Sequence, residues 1–471
     1  MRTISQQLAD FVLDTSYEAL PGELSSRLPA YILDLIASSL PAISEPSSRA
    51  VIQTVLSSGS NPVSTIFGRG RVVSAQDAAL ANGTIAHALE LDDDHRFGTV
   101  HPGAVMIPAA LACAEASLCD GKTFLRAIAL GYEVTCRAGE TFLGRQYFAG
   151  FHPTSTCGVF GAAVASGIIL GLNFEQMVNA LGIAGTQAFG LGEWRADGSW
   201  IKRLHPGRAA QSGILASHLA HEGFTGPATI FEGENGFLIA FSHDRVFDEA
   251  ALIRDLGRDY RAGLTAFKPY PGCRFAHAVI DLGLDLARSE GFEIDHLERG
   301  QVRIYKTDIL NYNPIPDNIV HAQFSVPYLL ATALVHGEVT LNHLTDEAIK
   351  DSHVLSISKR ILVLEDDEFS KDYPERYSTE VRLEFQDGRN VRGFRDIPRG
   401  DPQAPDYVAD PGKFDQEVRS KFQTLLSRTQ YESRIEQIFK AVEELPHAEN
   451  VIRLTNLLGD PSLDLELEIS E

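Results

Sequence analysis

Through the first 265 residues, apolar side chains recur at three- and four-residue steps, the period of one helix face. Residues 4–12, 28–40, 75–91, 104–118, 124–142, 159–172, 174–189 and 208–221 each carry it, which predicts eight helices. Many are rich in Ala and Gly, so neighbouring helices can approach closely, and no strand-period segment of any length interrupts them. After about residue 266 the pattern changes. Residues 301–305 and 378–385 alternate, 361–364 is another short strand, and Gln386-Asp387-Gly388-Arg389 reads as a hairpin turn. Helical spacing returns at 274–286 and 324–334. Pro, Asp and Gly crowd residues 398–412 as in a linker, 414–445 is helical again, and the acidic 463–471 reads as a frayed tail. The predicted fold is mainly α: a large all-helical domain built from both chain ends, residues 1–267 and 413–471, with an inserted α+β unit over 268–412.

Composition narrows the function classes. The chain has 471 residues, 44% apolar, enough for two or three folding units with a sizeable core. Its net charge of −22, with no basic patch to oppose it, argues against nucleic acid and anionic membranes. The longest apolar run, 161–172, is too short and too rich in small residues to span a bilayer. No signal peptide is evident in residues 1–13. Cys113, Cys119, Cys136, Cys157 and Cys273 form no CxxC pair, which predicts a reducing, cytoplasmic location with neither disulfides nor a zinc or iron–sulfur site.

One stretch breaks the apolar pattern. The helix predicted over 75–91 runs into Asp92-Asp93-Asp94, a short loop follows, and His101-Pro102-Gly103 opens the next helix. Helical spacing places Asp93 on the apolar face after Ala86 and Leu89, and Asp94 on the polar face after His87 and Glu90. Asp93 is thus expected to be buried and Asp92 and Asp94 to be local caps or solvated. A buried carboxylate is costly unless it is paired or used. Four segments look like helix starts built on proline: His101-Pro102, His152-Pro153, His205-Pro206 and Tyr270-Pro271. Converging helix N-termini favour anions and keep nearby imidazoles neutral, which suits histidine proton acceptors. Lys202, Arg203 and Arg208 flank the third start, and Lys268 and Arg274 the fourth, as a small polyanion would require. Tyr328 is a lone phenol in an apolar helix, with core packing as the plainer explanation. Clustered aspartates can also hold magnesium against a diphosphate. A second aspartate-rich helix is missing, however, the nearest acids being Glu365-Asp366-Asp367 in the strand-rich part.

Taken in order, several segments together resemble the MmgE/PrpD family. They are His87-Ala88-Leu89-Glu90-Leu91-Asp92-Asp93, His101-Pro102, His152-Pro153 with Gly161-Ala162-Ala163, the run from Leu181 to Ala188, the run from Lys202 to Gly213, and Lys268-Pro269-Tyr270-Pro271 with Cys273-Arg274-Phe275. The resemblance covers essentially the whole chain. It implies a helical domain with an α+β lid, a homodimer, and a lyase that acts on a small di- or tricarboxylic acid without metal or organic cofactor. Dehydration, decarboxylation and, as an alternative, epimerisation of an iminodisuccinate-like acid all stay open, as does a catalytically silent binding dimer. The spacing from Leu91-Asp92-Asp93 to His101 resembles the decarboxylase and epimerase branch, and Gly103 departs from the serine of bacterial 2-methylcitrate dehydratases. By resemblance the catalytic positions are Asp93, His101, His152, Lys202, Lys268 and Tyr328. Arg203, His205 and Arg274 join them as candidate substrate-binding residues. In this picture Lys202 and Lys268 hold carboxylates, the two histidines move the proton, and Asp93 orients an imidazole.

Overall fold

The structure is a computed structural model that describes residues 2–307 and 309–460, so the tail expected at 463–471 lies outside the described residues. Its helices start where the sequence supplies caps. Thr3 and Asn173 form capping boxes, and Ser74 and Asp120 accept the N–H three residues on. The predicted helices are found at Ile4–Asp14, Gly22–Ser39, Ala75–Ala86, Gly103–Ser117, Gly121–Glu140, Pro153–Ile169, Phe174–Gly185 and Ile201–His221. Three expectations change. A further helix spans Pro46–Leu56, a small hairpin of Ser64–Ile66 and Gly70–Val73 interrupts the helical part, and the expected linker contains the helix Pro405–Ala409, with Tyr407 buried.

The apolar side chains form two cores. The first gathers residues from Ile4 to Phe267 and again from Ala404 to Leu458; the Gly412–Leu426 helix packs on Gly22–Ser39. The second runs mainly from Tyr270 to Phe385. It is built on a four-stranded sheet in the order Ile361–Asp366, Leu297–Tyr305, Thr379–Phe385, Asn390–Arg395. The first pair is parallel and the other two antiparallel. The parallel pair needs a long crossover, which Ile319–Phe324, Val326–His336 and Ser352–Ser358 supply. The fold is mainly α with a small β part, as the periodicity predicts.

Small residues set the spacing that matters for the site. A Cβ on Gly83 would lie 2.6 Å from Cα of Gly207, so the Ala75–Ala86 and Ile201–His221 helices cross with backbones almost touching. That crossing carries Lys202 to the end of the first helix, where the acidic stretch begins.

Candidate active site

The Ala75–Ala86 helix stops five residues earlier than its apolar pattern does. Residues 87–102 then form a buried irregular segment that returns to helix at Gly103. Asp94 exchanges both backbone hydrogen bonds with Ala266 at 2.8 Å, which ties this segment to the strand-like stretch before Lys268. Glu90 sits at φ +55°, in the left-handed region that non-glycine residues seldom adopt.

All three aspartates are buried, which corrects the expectation for Asp92 and Asp94. The face argument fails because the helix has already ended. Each acid has its own partners. Asp92 Oδ2 lies 2.7 Å from His87 Nδ1. Burial opposes its charge, yet His87 and His101 hold it below the usual carboxylate range. Asp93 accepts the Gly103 N–H at 2.9 Å and the Tyr132 hydroxyl at 2.8 Å, and burial beside Asp92 and Asp34 pushes it well above its ordinary value. Asp94 is raised to about 6, mainly by burial. The contact from Asp93 to His101 runs through the backbone: His101 Nδ1 donates to the Asp93 carbonyl at 2.6 Å. The Asp93 carboxyl instead fixes the start of the next helix.

A small cavity lies where the two cores meet. Glu90, Asp94, Thr99, His101, Tyr147 and Lys202 face Cys273, Arg274, Phe275, Ile309 and Phe324 across it. Its volume of ≈ 10 Å³ has room for about one water. A far larger groove of ≈ 770 Å³ runs past Ile43, Thr340 and Arg428, but it contains none of the candidate residues, so chemistry rather than volume identifies the site. Glu90 dominates the charge balance: its carboxylate pairs with Lys202 in a short contact and with Lys268 at 3.2 Å. Burial alone would raise Glu90, but the two lysines hold it well below its ordinary range. Lys268 is wholly buried and raised, Glu90, Asp92 and Asp94 together outweighing desolvation. Lys202 also lies 5.5 Å from the Phe324 ring and 5.6 Å from Trp194. Arg274 donates to the Arg399 carbonyl at 2.5 Å.

His101 is driven well below its usual value by burial and then by Lys268, and is therefore neutral at pH 7. His152 is lowered likewise by burial and by His205, whose Nδ1 lies 3.0 Å from its own Nδ1. His152 precedes the Pro153–Ile169 helix as expected, but Pro206 is internal to Ile201–His221, so His205 does not mark a helix start.

The structure thus brings His101, Lys202, Lys268 and Arg274 to one place, with His152 and His205 behind them. Arg203 points elsewhere, 3.3 Å from Glu45 and 3.0 Å from the Ser47 hydroxyl. Tyr328 is also apart: its hydroxyl donates to the His343 carbonyl at 2.7 Å, within the second core. Tyr328→Phe is expected to cost about 1 kcal/mol of stability, the price of one neutral hydrogen bond, with kcat changed less than twofold. Chemical denaturation and initial rates check this; a tenfold rate loss at unchanged stability would return the phenol to the site. Asp366, in the nearest other run of acids, is taken up by Arg303 and by the Glu368 and Phe369 N–H groups. The expectations missed Glu90, His87, Tyr147 and Cys273. Glu90 and His87 stood in the motif, on the face read as polar.

The sequence matches the MmgE/PrpD N-terminal domain over residues 6–250 and the MmgE/PrpD C-terminal domain over 270–445, and the chain belongs to this family. Its relatives include the cis-aconitate decarboxylase of Aspergillus terreus, 25% identical over 97% of this chain and 96% of the relative. The cis-aconitate decarboxylase-like protein oryM of Aspergillus oryzae is 26% identical over 97% of both chains. The cis-aconitate decarboxylase of Mus musculus is 26% identical over 99% of this chain and 95% of its own. Among the described residues no helix is long and apolar enough to cross a membrane.

Proposed function

We propose that the chain is a lyase that decarboxylates or dehydrates a small di- or tricarboxylic acid by proton transfer at the carbon beside a carboxylate, using side chains alone. The observation that carries this reading is the neutral His101 lining one cavity with Lys202 and Arg274, beside Lys268, which pairs with Glu90 of the cavity wall. Loss of carbon dioxide or removal of a proton next to a carboxylate leaves negative charge on carbon and its carboxylate neighbours. Cations fixed in a dry site before the reaction stabilise that charge most. The names of the relatives favour decarboxylation within this class.

The Glu90 carboxylate, paired with both lysines, stands where a substrate carboxylate would be held. The cavity admits only a water, so substrate entry requires the second core to move away from the first as a lid, with substrate replacing Glu90 on the lysines. His101 starts neutral because burial and Lys268 oppose its charge; a bound polyanion reverses that balance. In dehydration the neutral imidazole accepts the proton from carbon while the hydroxyl leaves as water with a proton from a neighbouring acid. In decarboxylation the imidazole, protonated from solvent as the polyanion binds, delivers that proton to the carbanion after the C–C bond breaks and carbon dioxide leaves. His152 relays through the neighbouring rings, and Tyr147 replaces Tyr328 as the phenol at the cavity wall. The working unit is a cytoplasmic homodimer whose lid is residues 268–412.

Proton NMR in deuterium oxide with 2-methylcitrate, citrate, cis-aconitate and iminodisuccinate tests the reading. Conversion of one acid, or deuterium uptake at its carbon, is expected. Tight binding of these acids with neither turnover nor exchange would instead make the protein a silent binding dimer.

A further inference from the structure

Three imidazoles meet in the buried segment of the site. One ring nitrogen from each of His87, His101 and His152 lies within 4.8 Å of the others. All three residues are buried. Their ring centroids are 4.8, 5.7 and 6.3 Å apart. Among the described residues this is the one grouping of His, Cys, Asp or Glu with metal-ligand spacing.

Every ring is held through Nδ1. That of His87 is 2.7 Å from Asp92 Oδ2, that of His101 2.6 Å from the Asp93 carbonyl, and that of His152 3.0 Å from His205 Nδ1. Carboxylates and carbonyls only accept, so His87 and His101 carry their proton on Nδ1 and offer Nε2 as a lone pair. The Nε2 atoms of His87 and His152 are buried without a hydrogen-bond partner. Metal-binding histidines are oriented in this way, one nitrogen fixed by a carboxylate or carbonyl and the other free. A zinc ion with Zn–N bonds of about 2.0 Å places its nitrogens roughly 3.3 Å apart, so the cluster would draw in by about an ångström.

We propose that His87, His101 and His152 form a three-nitrogen site for one divalent transition ion of zinc's class, and that filling it stops turnover. Coordination takes the lone pairs that proton transfer needs. The inhibitory half rests on the roles proposed above for His101 and His152; the binding half does not.

Cobalt(II) is the probe. Protein stripped with EDTA and then freed of it is titrated with Co²⁺ while visible d–d absorption is followed. One tightly bound ion per chain with tetrahedral-type bands is expected, displaced by Zn²⁺. His87→Gln and His152→Gln, each checked for folding by circular dichroism, should each weaken binding at least tenfold. Absence of the bands, or an affinity that neither folded variant alters, overturns the site. One equivalent of Zn²⁺ should also abolish deuterium exchange into substrate, reversed by EDTA. Full exchange by zinc-loaded protein overturns the inhibitory half. If no acid is turned over at all, the proposed function fails while the cobalt titration still decides the site.

Discussion

His101→Ala is expected to lower turnover by about 10²- to 10⁴-fold, the range general acid–base catalysis supplies, with the far-UV circular dichroism spectrum unchanged. The fold should survive because His101 makes few structural bonds through its side chain: Nδ1 donates to the Asp93 carbonyl, and its backbone N–H donates to Thr154 Oγ1 at 3.1 Å in either protein. Its catalytic value comes from position. It is the one histidine that lines the cavity, which Lys202 and Arg274 also line and beside which Lys268 pairs with Glu90. The wild-type pH profile gives an independent check. Burial and Lys268 hold His101 below the ordinary imidazole value, so its proton acceptor capacity is lost only as pH falls through that lowered value. The acid limb of kcat/KM in dehydration or exchange should therefore lie below pH 6.5, the value of a free histidine. Near-normal activity of the alanine variant, on whichever acid proves right, would sink the assignment.

Much of this arrangement was legible in the chain because it rests on local chemistry. The three-to-four-residue period marked the helices, and alternation with Gln386-Asp387-Gly388-Arg389 marked the hairpin between Thr379–Phe385 and Asn390–Arg395. His-Pro at 152–153 marked a true helix start. The failures share a cause. Periodicity treats 75–91 as one helix, but the backbone leaves helix after Ala86 and turns at Glu90 into a left-handed conformation. Helical faces lose meaning there, and Glu90, Asp92 and Asp94, read as polar surface, become buried partners of Lys202, His87 and the Ala266 backbone. Long-range pairing decides this, and spacing along one chain carries no trace of it. Arg203 and Lys202 are adjacent on one helix and so point about 100° apart: sequence groups them as a cationic cluster, and geometry gives one to the cavity and the other to Glu45. Tyr328 illustrates the reverse: a core tyrosine was the plainer reading of the residues, and its side chain lies in the second core with its hydroxyl on the His343 carbonyl.

Lys268→Met should be the most damaging single change to both stability and substrate capture, and its pH dependence identifies the cause. The ammonium group is buried among Glu90, Asp92 and Asp94. Methionine fills similar space but leaves those carboxylates facing Lys202 and Arg274 alone. Breaking a buried pair in this way costs about 3–5 kcal/mol near neutral pH. The sign with pH follows from the acids. In the wild type Glu90 lies well below its ordinary value, so its pairing contributes stability above the unfolded value and loses it only as pH falls through the depressed one. Without Lys268 the folded-state values of Glu90 and Asp94 rise, Asp94 from about 6. Folding then disfavours the charged form of Asp94 more strongly and favours that of Glu90 less, a deficit present at pH 8 and relieved as pH falls and the acids take up protons. Urea unfolding should find the deficit against wild type larger at pH 8 than at pH 5. A deficit equal at both would mean that lost packing, not lost charge, is responsible. Under conditions where the variant stays folded, kcat/KM for the polycarboxylate should fall by at least about 10²-fold, because one of two lysines has gone and Glu90 is left competing for the other.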